Sequence, residues 1–156
     1  MIKTNVMRIL DKNKIEYEVF DYVKEGYTNG EDVAKFLKQD PAFVFKTLVT
    51  VAKSKEHYVF MIPVNKELDL KKCALSVNEK NIEMIHQKEL LPLTGYIHGG
   101  CSPLGMKKEF ITTIDSSVES NEYIYFSGGK VGIQVKVKVS DLKKVLNFKT
   151  YNIIKD

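Results

Sequence analysis

Residues Tyr123 to Val139 read Y-I-Y-F-S-G-G-K-V-G-I-Q-V-K-V-K-V, and this stretch decides the fold class. Two β-type runs flank Gly128-Gly129, which is the signature of a two-residue hairpin. In the second arm Val131, Ile133, Val135, Val137 and Val139 fall on one face. Gly132, Gln134, Lys136 and Lys138 fall on the other, and that alternation calls for one buried and one wet face. A hairpin of this kind near the end of the chain points to an antiparallel sheet.

Working outward, Ser140 is placed to cap a last helix with Leu142, Val145 and Leu146 inward, and Phe148 to Ile154 packs back as a short segment. Upstream, Phe110 to Ile114 reads as a strand, and Asp115-Ser116-Ser117 marks a turn or helix start. Gln87 to Leu91 is a helical turn halted by Pro92, and Ile82 to Met84 a short strand. Asp69 caps a helix through Leu70, Ala74 and Leu75. His57 to Ile62 is a strand closed by Pro63, and the K-S-K-E spacer before it is a hairpin turn.

Phe43 to Val51 (F-V-F-K-T-L-V-T-V) is β-branched and aromatic, the composition of a central strand. Lys46 stands in its middle, between Val44 and Leu48 on its own face. An ammonium there either snorkels to solvent or points into a pocket that takes an anion. Nearer the start, Thr4 caps a helix that Asn13 ends, and Ile15, Tyr17 and Val19 make a half-buried strand. Thr28-x-x-Glu31 fits a capping box for a helix with Val33, Phe36 and Leu37 on one face, stopped at Asp40-Pro41. The expected total is about six or seven strands and four or five helices, interleaved without repeat or linker. That is an α+β fold: a mixed, largely antiparallel, barrel-like sheet with surrounding helices.

Composition narrows the classes. At 156 residues one domain spanning 1–156 is expected, and 44% hydrophobic with 28% charged residues excludes a disordered chain. A formal charge of +4 and a pI near 8.9 suit contact with RNA or phosphate without demanding it. No apolar run nears the ~20 residues of a membrane span, and the first residues lack a signal-peptide core. Cys73 and Cys101 have neither metal nor redox spacing, so a reduced, cytoplasmic setting without membrane is expected.

Thr94 to Lys108 reads T-G-Y-I-H-G-G-C-S-P-L-G-M-K-K and holds four of the nine glycines. Gly99-Gly100 is either a tight structural turn or a loop that offers backbone N–H groups to an anion or oxyanion. His57, His86 and His98 lack metal-site spacing, no phosphate-binding glycine motif is present, and no cofactor is expected. Cys101 with His98, or Ser102, could be read as a nucleophile, but no orienting third group accompanies either. What remains is Lys46, the Gly99-Gly100 backbone, and small polar groups at Thr47, Ser102 and Ser127. Such a set suits binding a phosphate or terminal nucleotide and stabilising an oxyanion on an activated ester. The ester would bring its own nucleophile or use water.

With these residues in view, the chain resembles the YbaK/EbsC family of free-standing aminoacyl-tRNA deacylases, related to the editing domain of bacterial prolyl-tRNA synthetases. The resemblance rests on F-K-T-L-V (45–49), L-D-L-K-K-C-A (68–74), the 94–108 stretch, and S-G-G-K-V-G (127–132), and it runs almost end to end. It implies the barrel-like mixed sheet and removal of a wrong amino acid from tRNA, typically Cys from Cys-tRNA(Pro). It implies that Lys46 holds the phosphate region of the 3′-terminal adenosine, and that Tyr22 and Thr47 line the pocket. Gly99 and Gly100 would orient the aminoacyl ester through their backbone, and Ser127 would stand beside it. In the family picture the substrate's own thiol, or its ribose hydroxyl and a water, attacks. The partners implied are a misacylated tRNA and, transiently, prolyl-tRNA synthetase. Two departures matter. Val131 stands where the family often has arginine, which removes a bidentate phosphate contact, and Cys101 stands where relatives carry apolar residues. A non-catalytic module that binds a tRNA acceptor end, or a deacylase shifted to Ala-tRNA(Pro), would use the same residues. The lysines at 71, 72, 107, 108, 143 and 144 either track RNA or form a solvated face.

Overall fold

A computed structural model describes residues 3–27 and 29–156. The described residues form five α-helices and eight strands in two sheets. Helix α1 (Asn5–Lys12) begins where the Thr4 hydroxyl accepts the Met7 N–H and ends at Asn13, burying Val6, Met7 and Leu10. Strand β1 (Tyr17–Asp21) follows, and then α2 (Gly30–Leu37). The expected cap Thr28 lies outside the described residues; the Asn29 side chain accepts the Glu31 N–H at the helix start. The inward face of α2 is Val33, Ala34 and Leu37, not the expected set with Phe36, a residue that is 38% exposed.

The 43–51 run splits. Pro41–Phe43 is a 3-10 turn capped by Asp40, and β2 (Phe45–Ala52) starts after it, so Lys46 is the second residue of the strand and not its middle. A hairpin joins β2 to β3 (His57–Pro63), which is buried along almost its whole length. Both faces of β3 are covered: Met61 packs between the two sheets, while Phe60 and Ile62 pack with Cys73 and Ala74 of α3 (Leu70–Ser76). Asp69 caps α3 as expected, accepting the N–H groups of Lys71 and Lys72. Strand β4 (Ile82–Met84) pairs with β2.

Helix α4 (Gln87–Thr94) runs through Pro92 instead of stopping there. The proline removes one N–H, yet the last turn is held by the Gly95 N–H on the Leu91 carbonyl and by the Thr94 hydroxyl on the Leu90 carbonyl. Strand β5 (Ile111–Asp115) leads through a 3-10 turn to β6 (Tyr123–Ser127) and β7 (Ile133–Lys138). The hairpin between them is longer than two residues. Gly128 donates to the Ile133 carbonyl and Ile133 to that of Lys130, so Ser127 pairs with Gln134. The expected wet face is also only partly wet, because Gln134 is buried. Helix α5 (Val139–Leu142) starts one residue before Ser140 could cap it, since the Val139 N–H still bonds the Glu122 carbonyl. Strand β8 (Phe148–Tyr151) ends the second sheet.

One sheet has the order β1-β7-β6 and the other β4-β2-β3-β5-β8. Among the strand pairs of the described residues only β3–β5 and β5–β8 are parallel, so the mixed, largely antiparallel α+β reading holds. The sheets do not close into a barrel. Among the described residues they meet at a bridge between Val44, just ahead of β2, and Tyr125 of β6. Among the described residues no helix is long and apolar enough to cross a membrane.

Candidate active site

The angle between the two sheets leaves a cavity of about 580 Å³ beside that bridge. Tyr22, Lys46, Thr47, Gly99 and Ser127 all line it, although they come from four separate segments, with Lys46 and Thr47 adjacent on β2. Gly100 and Ser102 are not on its wall.

Lys46 enters from the start of β2, where its neighbour in register is Ile62. Burial holds its ammonium below the ordinary lysine pKa, and the carboxylates of Glu31 and Glu67 pull the other way. Among the described residues no carboxylate lies within salt-bridge distance of it. A partly desolvated cation without a close partner is a site prepared for an anion.

Two buried acceptors add to this. The Thr47 hydroxyl oxygen and the Gln134 carbonyl oxygen have no hydrogen-bond partner among the described residues. Leaving such an atom unpaired costs about 1–3 kcal/mol, so a pair of them in one cavity wall marks a place where polar ligand atoms would be favoured. The other end of Gln134 is fixed, its Nε2 donating to the Tyr22 hydroxyl at 3.3 Å. Burial raises the Tyr22 hydroxyl pKa, partly offset by that bond, so it remains protonated. Ser127 accepts the Gly129 N–H at 3.1 Å, which leaves its own O–H to donate.

The glycine pair divides its work. Gly99 has φ +87°, the left-handed position of a turn closed by the Gly100 N–H on the Ile97 carbonyl at 3.0 Å. The Gly100 N–H is therefore committed within the loop. Gly100 is small for another reason: a Cβ there would lie 3.0 Å from the Val131 nitrogen. The 94–108 loop thus docks directly on the hairpin of β6 and β7. Ser102 is fully buried and accepts the Leu104 N–H at 3.4 Å, a turn contact. Tyr96 braces the same loop by donating to the Leu104 carbonyl. Cys101 does reach the cavity, but burial pushes its thiol up to about 12, so it is protonated near neutral pH and a poor nucleophile.

Gln134 was not anticipated from the sequence, and neither were His98 and Tyr27 as lining residues. The signal for Gln134 was present but needed the register. A two-residue loop at Gly128-Gly129 sets Ser127 opposite Lys130, whereas the true loop sets it opposite Gln134. Of the surface lysines, Lys72 bonds Asp156 and the Ile154 carbonyl, Lys144 bonds Asp141, and Lys108 sits over the Phe110 ring. A second hollow of about 420 Å³ lies near Leu104, Phe110, Ile111, Leu146 and Phe148.

Residues 24–145 match the aminoacyl-tRNA editing domain family. Over 146 residues the chain is 40% identical to EbsC of Enterococcus faecalis, a protein provisionally assigned as a Cys-tRNA(Pro)/Cys-tRNA(Cys) deacylase. That match covers 93% of this chain and 89% of EbsC. Two solved structures share the fold at 16% identity. One is the hypothetical protein APE2540, with a TM-score of 0.89 over 97% of this chain and all of the other. The second is provisionally described as a trans-editing enzyme for prolyl tRNA synthetase, with a TM-score of 0.83 over 99% of this chain and all of the other. With the family match spanning most of the sequence and both glycine motifs meeting at one cavity, the chain belongs to the aminoacyl-tRNA editing domain family.

Proposed function

We propose that this chain is a trans-editing aminoacyl-tRNA deacylase that clears Cys from Cys-tRNA(Pro) by substrate-assisted cleavage of the ester. The observation that carries the reading is a cavity whose lysine and two buried acceptors have no partner among the described residues, and whose Cys101 thiol is held protonated. It is furnished to hold a charged, polar substrate and lacks an activated nucleophile of its own.

In this mechanism Lys46 meets the phosphate or ribose region of the terminal adenosine as a point charge. The Gly99 N–H faces the developing oxyanion, a contact worth ~3 kcal/mol in comparable sites, while Gly100 holds the turn. The substrate thiol attacks its own ester carbonyl. The C–S bond forms, the bond to the ribose oxygen breaks, the thiol proton ends on the ribose hydroxyl, and cysteine leaves as a thiolactone. Thr47, Ser127, Tyr22 and Gln134 fix the aminoacyl group. A hydrophobic pocket separates near-sized side chains by only ~1–3 kcal/mol, so sharp preference for cysteine would come from its thiol chemistry. The reading places the protein in the cytoplasm and includes a transient complex with prolyl-tRNA synthetase, which co-sedimentation with and without tRNA would test.

The deciding experiment is a panel of misacylated tRNAs at substoichiometric protein. Rapid clearance of Cys-tRNA(Pro) is expected, with release of a cyclised cysteine product. Preferential clearance of Ala-tRNA(Pro) would overturn the thiol mechanism, and protection of every ester without turnover would make the chain a binding module.

A further inference from the structure

We propose that Phe36, braced by Tyr22 and Tyr27, is a stacking platform for the terminal adenine base of the substrate tRNA. This rests on the deacylase reading and adds to it the element that grips the nucleobase. Isolated exposed apolar side chains are ordinary, so exposure alone is no argument. What sets Phe36 apart is its surroundings. It lies beside the buried stripe of α2, and its ring leans on two others, 5.9 Å from Tyr22 and 6.1 Å from Tyr27 between centroids. Both contacts are tilted, at 46° and 59°, so neither neighbour lies flat on Phe36. The ring is held in place, yet 38% of the residue remains open to solvent.

The two bracing tyrosines are themselves walls of the cavity that Lys46 enters. The platform is therefore continuous with the site, one ring outward from it. A nucleotide whose ribose and phosphate lie at Lys46 carries its base a short distance away, and a rigid π-face is the surface that a base takes up without regard to hydrogen-bond pattern. Tyr22 then links the two ends of the substrate: its ring supports Phe36, and its hydroxyl holds Gln134 in the cavity.

The test uses the full chain and an uncharged tRNA acceptor minihelix with 2-aminopurine in place of the terminal adenine. Binding to the unsubstituted protein is expected to quench the fluorophore by stacking. Phe36→Leu, which keeps an apolar side chain of similar bulk, is expected to abolish the quench and weaken binding about tenfold, with melting temperature and circular dichroism unchanged. Phe36→Tyr should restore both. Equal quenching and affinity in Phe36→Leu overturn the platform, and so does tight binding by the unsubstituted protein with no quench. The deacylase reading is judged separately by turnover of Cys-tRNA(Pro), so a failed platform with intact turnover leaves that reading standing. Loss of turnover in the unsubstituted protein removes both.

Discussion

The two hollows of this molecule differ less in size than in what their walls leave undone. The one beside Phe110 and Phe148 is about 420 Å³, and its lysine and threonine groups have local partners: Lys108 over the Phe110 ring, Lys149 on the Ser76 carbonyl, Thr112 on the Phe110 carbonyl. The one beside Val44 is about 580 Å³, and among the described residues its Lys46 has no salt bridge and two of its buried oxygens have no donor. Volume is a poor guide to a site. Unmet polar demand is a better one, since the fold bears its cost without any internal return.

The sharpest way to break this comparison is Lys46→Ala. Deacylation of Cys-tRNA(Pro) is expected to drop by a factor of about 100 or more, while the melting temperature stays put or rises; retained turnover would put the site elsewhere. Next in size, Gly100→Ala pushes a methyl into the Val131 backbone. It should lower turnover by about tenfold or more and loosen the 94–108 loop, read as faster amide exchange there; a silent substitution would mean that the docking of the two glycine loops is dispensable. Thr47→Val keeps the shape and deletes one unpaired oxygen. It should raise stability by about 1 kcal/mol while slowing turnover severalfold, the opposite signs expected where an unmet polar group serves a ligand. A loss of stability would mean that the hydroxyl already had a partner.

A pH experiment sharpens the lysine. Burial sets the Lys46 pKa below its unfolded value. Between those two values the unfolded chain holds more protons, so stability from this group rises with pH across that window. Ligand binding needs the charged form and moves the other way, weakening as pH climbs through the lowered pKa. Affinity for uncharged tRNA should therefore fall below pH 10.5 in the unsubstituted protein, and the fall should shift upward in Lys46→Arg; identical profiles would remove Lys46 from binding. The smallest effects are expected from Cys101→Ala and from Ile111→Ser in the second hollow, each leaving turnover within about twofold. Complete loss in Cys101→Ala would restore a protein thiol to the mechanism.

Much of the fold was legible because its signals are local. Thr4, Asp69 and Asp115 each cap the element they precede, through bonds spanning two or three residues. Lys46 was visible because a charge inside a β-type run conflicts with its surroundings. The parts that were not legible depend on partners distant in sequence. Strand β8 exists because β5 offers it an edge; α4 outlasts Pro92 for a local reason instead, since Gly95 and Thr94 complete its end. The two sheets meet where Val44 bridges Tyr125, a pairing between segments far apart in sequence. Within the site, the commitment of the Gly100 N–H to Ile97 and the burial of Gln134 follow from turn geometry and register, which composition does not carry.

The docking of the 94–108 loop on the β6–β7 hairpin also dictates when in its own synthesis the protein could work. Chains emerge from the ribosome N-terminus first and fold as their partners become available. Lys46, Thr47 and the β2–β3 hairpin emerge early and find each other locally. Yet β1 must wait for β7, and Gly100 for Val131, before the cavity has its far wall. The lysine is thus on hand long before there is a site for it to serve. A chain cut short just ahead of Gln134 would carry most of the recognisable motifs and none of the assembled pocket.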